Sequence, residues 1–263
     1  MRKGYAWILA VFVCAASEAQ QPAAPYALDH FKIWKVTSVP FRAQVDLLGQ
    51  FDRGRWWRAS VANIQYLANP TNKTHVHLGA NIANPDLHYV GYNLTPSAGQ
   101  PRRNVVLRNQ FTLQPGAGDA NWLLGDPALL LVPAGKTFPP AVPQKPDSAD
   151  HFVCYRVRNP VAFPQNLTLE DQFDVRRRRV ETITQLEPAY FCVPAQKRFG
   201  NHVEEPLRNA QIHLAIYRIT PAETLIRSLR PRTADQFGTR RLEVKASEML
   251  AVPSVKLSWE AAQ

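Results

Sequence analysis

The chain has 263 residues, 45% hydrophobic and 20% charged, with a formal net charge of +10. That balance belongs to a globular chain with enough apolar residues for a core, in one or two domains. Proline fixes φ and lacks a backbone donor, so 22 prolines against 12 glycines exclude long helices and predict many short elements joined by stiff turns.

Residues 1–19 read as a signal peptide. Arg2 and Lys3 form a positive start, Ala6 to Ala16 is an apolar run too short to span a bilayer, and Ser17-Glu18-Ala19 suits cleavage after Ala19. Cys14 makes no lipobox, because Val13 before it is too bulky. Export is therefore expected, to the periplasm or outside the cell, with no transmembrane segment in the mature chain. Cleavage removes Arg2, Lys3 and Glu18, leaving 29 basic and 20 acidic residues, a net +9, with Cys154 and Cys192 as the remaining cysteines. An even count in an exported chain is compatible with one disulfide.

Four segments then repeat one order of landmarks. The opening pattern is His, bulky apolar, two residues, aromatic, one residue, aliphatic: His30 to Val36, His88 to Leu94, His151 to Val157 and His213 to Ile219. Next come Gln50-Phe51, Gln110-Phe111, Gln172-Phe173 and Gln236-Phe237. Each unit closes on a proline with a lysine three later: Pro70 and Lys73, Pro133 and Lys136, Pro194 and Lys197, Pro253 and Lys256. The closing prolines are 63, 61 and 59 residues apart.

The units alternate. Asp29-His30-Phe31 and Asp150-His151-Phe152 open units one and three, whereas His77 and His202 precede His88 and His213 by 11 residues. Thr137 to Asp150 carries Pro139, Pro140, Pro143 and Pro146, a linker composition. Two domains are therefore expected, 20–139 for repeats one and two and 140–263 for repeats three and four.

The opening motif alternates with period two, as a strand does. His151, Val153, Tyr155 and Val157 form a mostly apolar face, expected in a core; Phe152, Cys154, Arg156 and Arg158 form the other. Leu167 to Phe173, Arg179 to Thr184 and Ala189 to Val193 read as further strands. The expected class is all-β, with four quasi-repeats paired into two small barrel- or sandwich-like domains; a four-bladed propeller is the alternative.

The repeats also place the cysteines. Positions equivalent to Cys154 and Cys192 hold Ile33 with Ala68, Gly91 with Leu131, and Ile216 with Ala251. Each pair is uncharged and sets a larger residue against a smaller one, as touching positions require. A Cys154–Cys192 disulfide is expected, closing a long loop worth roughly 3–4 kcal/mol.

Copy four, with His213 to Tyr217, Asp235-Gln236-Phe237-Gly238 and Leu250 to Lys256, resembles a domain of unknown function that recurs in tandem in exported bacterial proteins. Copy three resembles it more closely, through Cys154 and Cys192-Val193-Pro194-Ala195. The resemblance implies an exported bacterial protein and supplies no catalytic residue; copies one, two and four lack the cysteine pair.

No nucleophile elbow, His-Glu-x-x-His, Walker loop or dinucleotide fingerprint is present. Glu170-Asp171 and Glu204-Glu205 are adjacent pairs, which on a strand face opposite ways. A histidine needed once per unit points to folding. His75, His77 and His88 are the only metal candidates, and no clustered carboxylate or cysteine accompanies His75 and His77, so no metal and no cofactor are expected.

The arginines stand out. Arg53, Arg55 and Arg58, then Arg176, Arg177, Arg178 and Arg179, then Arg240 and Arg241 follow Gln-Phe in three of the four units. Aligned, they would attract an anionic polysaccharide, a lipid headgroup or an acidic protein, whereas no nucleic-acid motif is present. Trp56 and Trp57 suggest a sugar-stacking platform, while Trp34 and Trp122 read as core. The expected function is an exported, non-catalytic repeat protein, envelope-associated or binding an anionic or saccharide partner. The alternative is an exported hydrolase-like enzyme with a composite site between repeats.

Overall fold

The computed structural model describes residues 28–75, 78–112, 118–146, 149–203, 206–225 and 228–262, and the expected signal peptide lies outside them. Unit one contributes β1 (Phe31–Thr37), β2 (Arg42–Gly49), β3 (Trp57–His75) and β4 (Leu78–Ala80); unit two contributes β5 (His88–Pro96), β6 (Arg103–Arg108) and β7 (Ala120–Thr137). Unit three holds β8 (His151–Val157), β9 (Phe163–Asp171), the short helix α1 (Gln172–Arg177), β10 (Glu181–Phe199) and β11 (His202–Val203). Unit four holds β12 (His213–Thr220), β13 (Arg232–Asp235), β14 (Gly238–Arg241) and β15 (Glu243–Ala261). The chain is all-β, and every opening motif is a strand.

The closing strands β3, β7, β10 and β15 run 18 or 19 residues, which corrects the expectation of short strands only. Arg179 to Thr184 and Ala189 to Val193 fall within the same stretch, most of it the single strand β10. Proline is tolerated because it sits where the ladder is interrupted. Pro127 and Pro188 lie at register shifts. Each closing proline lies where its strand changes partners: Pro70 still faces Phe31 of β1, and from Thr71 the strand pairs with β9. At such a handover the missing donor costs little.

Strands β1, β3, β5, β7, β8, β10, β12 and β15 pair antiparallel in that order, and β15 pairs back to β1, closing a ring. The ring is not a regular barrel. The start of β3, β7 and β10 pairs with the second strand of its own unit, and the end of each closing strand pairs with the second strand of the unit opposite. Thus β2 bridges β3 and β10, β9 bridges β10 and β3, and β6 bridges β7 and β15. In unit four β13 reaches β7, while Leu242 and Val244 donate to Pro231 and Leu229. Ladders cross the expected boundary near residue 140 at β1–β15, β2–β10, β3–β9, β6–β15, β7–β8 and β7–β13. The halves therefore do not form separate sheets, and no unit stands alone as a propeller blade. Pro139 and Pro140 lie in a connection within one sheet.

Two cores result. One takes side chains from all eight ring strands, among them Phe31, Ile33, Tyr89, Phe152, Leu214 and Ile216, and fills the ring. The other lies on the opposite face, where Trp34, Tyr92, Tyr155 and Tyr217 meet the second strands. Both faces of an opening strand are thus buried near its start.

The landmarks recur because they interlock between units. The aromatic of each opening strand packs edge-on against the Gln-Phe phenylalanine of the opposite unit: Trp34 on Phe173 at 5.5 Å, Tyr92 on Phe237 at 5.1 Å, Tyr155 on Phe51 at 5.2 Å and Tyr217 on Phe111 at 5.5 Å. The closing lysine of one unit lies over the phenylalanine of the next: Lys73 over Phe111, Lys136 over Phe173, Lys197 over Phe237 and Lys256 over Phe51, at 4.4 to 5.9 Å. The same glutamines face the histidines of the preceding unit: Gln110 with His30, Gln172 with His88 and Gln50 with His213, at 2.9, 3.4 and 2.8 Å. Edge-on aromatic pairs and cation–π contacts each contribute on the order of 1 kcal/mol. Asp29 and Asp150, which mark units one and three, accept from the backbone of Ala83 and Asn84 and of Arg208 and Asn209.

Cys154 and Cys192 are disulfide-bonded. The equivalent positions face each other as expected: Ile33 with Ala68, Gly91 with Leu131, and Ile216 with Ala251. Gly91 is closely approached, since an added Cβ would lie 3.1 Å from the Tyr66 Cβ and force a small shift. Non-reducing mass spectrometry should show the Cys154 and Cys192 peptides joined, and Cys154→Ala should cost about 2–4 kcal/mol. Two free, alkylatable thiols in protein recovered without reductant would overturn the pairing.

Candidate functional site

The four Gln-Phe turns are built alike, with one exception. Asn109, Asp171 and Asp235 stand before the glutamine, and their side-chain oxygens accept from the backbone of Phe111, Phe173 and Phe237 at 2.9, 2.8 and 2.7 Å. The same side chains serve the buried aromatic from across the ring. Trp34 Nε1 donates to Asp171 at 2.6 Å, Tyr92 Oη donates to Asp235 at 2.7 Å, and Asn109 Nδ2 donates to Tyr217 Oη at 2.8 Å.

In unit one that position is Gly49. Asp52, three residues on, accepts from the Gly49 backbone at 2.6 Å and from Trp57 Nε1 at 2.8 Å. Tyr155 is the aromatic here. Its hydroxyl is buried and accounts for no hydrogen bond among the described residues. Beside it lies Arg103, 2% exposed, its guanidinium 5.1 Å from the Phe51 ring and 5.0 Å from the Tyr155 ring. Arg103 Nη1 donates to the Pro101 carbonyl at 2.8 Å, while Nε is buried without a partner among the described residues. Burial pushes the Asp52 carboxyl up, opposed by its two hydrogen bonds and by Arg103. A buried polar group without a partner costs about 1–3 kcal/mol, so this corner is short of acceptors.

A cleft of about 580 Å³ opens on the corner, lined in part by Arg53, Arg55, Trp56, Trp57, Arg103 and Trp259. Arg53 and Arg55 are exposed, and the three indoles are half-buried. Arg198 stacks on Trp56 at 3.7 Å, and Arg53 lies 5.8 Å from the Trp259 ring. Four of the sequence candidates thus meet in one place. Arg103 and Trp259 were not among them; the one signal for them was Gly49, standing where the other units have Asp or Asn.

The remaining arginines go elsewhere. Arg58 pairs with Asp46 at 2.9 Å. Arg176 to Arg179 lie at the end of α1 and in the turn after it, mostly exposed. Arg176 stacks on Phe138 at 4.2 Å, Arg178 is the left-handed cap with φ of 54°, and Arg179 pairs with Glu223 at 2.9 Å. Arg177 bridges Asp174 and Glu223, both at 2.8 Å, so it is a fixed part of the fold. Arg240 packs on Phe41 at 4.2 Å and donates to the Phe237 carbonyl, while Arg241 is exposed. The three clusters sit at separate corners of the ring with different neighbours, so they do not merge into one patch.

Asp171, Asp174 and Glu181 converge around Lys32, but Lys32 and Asp174 are wholly buried, so the group braces the core. His75 lies edge-on to Phe111, His88 is enclosed by Asp86 and Gln172, and His77 falls outside the described residues. Among the described residues no three of His, Cys, Asp and Glu are placed to hold a metal. His151 and His202 share a cleft of about 200 Å³ with Asp150, whose carboxylate is taken up by the Arg208 and Asn209 backbone.

No helix among the described residues is long and apolar enough to cross a membrane. No curated protein matches the chain. A family described as a repeat of unknown function (DUF7450) matches residues 88–253. Those limits coincide with the first residue of the second opening motif and the closing proline of the fourth unit. The match spans more than half of the chain, which therefore belongs to the family of this repeat of unknown function.

Proposed function

We propose that this is an exported, non-catalytic repeat protein that binds an anionic partner at the cleft around Arg103. The observation that carries the reading is the corner of unit one, where three arginines line a cleft that contains a single carboxylate, Asp52. An anion there would meet the exposed guanidinium groups of Arg53 and Arg55 with the Arg103 charge behind them, and charged hydrogen bonds are the strong ones. The signal-like residues 1–19 and the disulfide support an oxidising, exported location.

The exposed arginines allow a clean test. Arg53→Ser with Arg55→Ser should elute from an immobilised anionic polymer at clearly lower salt than the native chain. Stability should stay within about 0.5 kcal/mol, as for surface changes without buried partners. Arg176→Ser with Arg178→Ser is the comparison, expected to leave elution nearly unchanged. Equal retention of all three proteins would count against the cleft.

A further inference from the structure

We infer that the cleft recognises an acidic pyranoside, a sugar ring carrying a carboxylate such as a uronate. This rests on the anion-binding function proposed above. Arg103 supplies the anion site. Its guanidinium is enclosed by the rings of Phe51 and Tyr155, with Nη1 tied to the Pro101 carbonyl and Nη2 donating to Gln100 Oε1 at 3.5 Å, so its planar fork is held in one orientation and each Nη keeps one further N–H. A fork of fixed orientation suits a carboxylate, which it meets with two parallel hydrogen bonds. Among the described residues no carboxylate lies within ion-pair distance of it, and Arg53 and Arg55 add cations at the rim.

The rest of the cleft asks for a hydroxylated ring. Trp56, Trp57 and Trp259 are half-buried; Arg198 covers one face of Trp56, and the indole surface turned to the cleft matches the CH-bearing face of a pyranose. Both hydrogen bonds to Asp52 fall on Oδ2, which leaves Oδ1 to accept from a hydroxyl. Gln100 lines the same wall and offers an amide. A run of acidic side chains or a bare phosphate would make no use of the indoles or of Asp52 Oδ1 as an acceptor. A sugar acid uses the arginine, the acceptor and the indoles together.

Calorimetric titration of the folded, disulfide-bonded protein with galacturonic acid trimer tests this, beside its methyl ester, hexaglutamate and adenosine monophosphate. The uronate should bind at least tenfold more tightly than each of the other three. Arg103→Lys and Trp56→Ala should each weaken it at least fivefold. If Arg103→Lys fails to fold, Trp56→Ala and the Arg53→Ser, Arg55→Ser pair carry the test. Equal binding of the methyl ester would overturn the acid requirement. Hexaglutamate or the nucleotide binding as tightly as the uronate would overturn the pyranoside while leaving the anion site standing. Binding of none of the anions, with the native chain also unretained on anionic polymer, would remove both.

Discussion

Lowering the pH from about 7 to about 4 should unfold the protein. The opening histidines are the cause. Burial, reinforced by Lys73, Lys136 and Lys256 respectively, holds the imidazoles of His30, His88 and His213 down at about 4, 3 and 3. Nδ1 of His88 and of His213 donates to a backbone carbonyl, which favours the charged ring, but burial outweighs it. An imidazole in the unfolded chain takes its proton near pH 6.5. Between those values the unfolded chain binds more protons, so the stabilisation is complete above about pH 6.5 and is lost as the pH falls toward 4. Three such groups together rival a typical stability of about 5–15 kcal/mol. Carboxyls raised by burial, among them Asp52, Asp235 and Asp174, work the other way. Burial and the neighbouring Asp171 push the Asp174 carboxyl up to about 6, so its share is present at low pH and lost above that value, which offsets part of the acid loss. Denaturant midpoints at about pH 7.5, 6, 5 and 4 should fall steeply, and His213→Gln, which cannot titrate, should flatten the slope. A midpoint constant from pH 7 to 4.5 would exclude the mechanism.

Lys32→Met should destabilise the fold by about 3–5 kcal/mol, the usual result of removing one partner from a buried ion pair. Lys32 Nζ lies 2.7 Å from Asp174 and 2.5 Å from Glu181, with lysine and aspartate wholly buried. Burial opposes its charge, but Asp171, Glu181 and Asp174 together outweigh that and hold its pKa above the ordinary value. Without the ammonium group, two buried carboxylates face each other with Ser247 and Arg177 as remaining partners. The double variant Lys32→Met, Glu181→Gln should recover part of the loss, because the repulsion goes with the second charge. The single variant should lose less below about pH 6, where Asp174 takes up a proton. A loss under 1 kcal/mol at neutral pH would show that water or rearrangement replaces the lysine.

Arg177 shows where reasoning from exposure alone goes wrong. Four consecutive arginines look like a solvated face whose replacement leaves stability unchanged. In the fold Arg177 reaches back to Asp174 and across to Glu223, and Arg179 also pairs with Glu223, so replacing Arg176 to Arg179 together removes three ion pairs as well as surface charge.

The sequence by itself determined the four units, the strand nature of the opening motifs, the core roles of Trp34 and Trp122, and the partnership of Cys154 with Cys192. Each of these is local or is repeated four times, so alternation and recurrence report it directly. Only the tertiary structure decided that the units close into one ring, that unit one exchanges strands with unit three and unit two with unit four, and that the closing prolines lie inside long strands. Recurrence shows that Phe51, Phe111, Phe173 and Phe237 are needed, but not that each packs against the aromatic of the opposite unit. Pairing between distant strands depends on ring closure, to which the period-two pattern of any single strand is blind. The cleft lies still further from the pattern. It exists because Gly49 removes an acceptor from one of four similar corners while Arg103 and Trp259, from two other units, arrive there through the closed sheet.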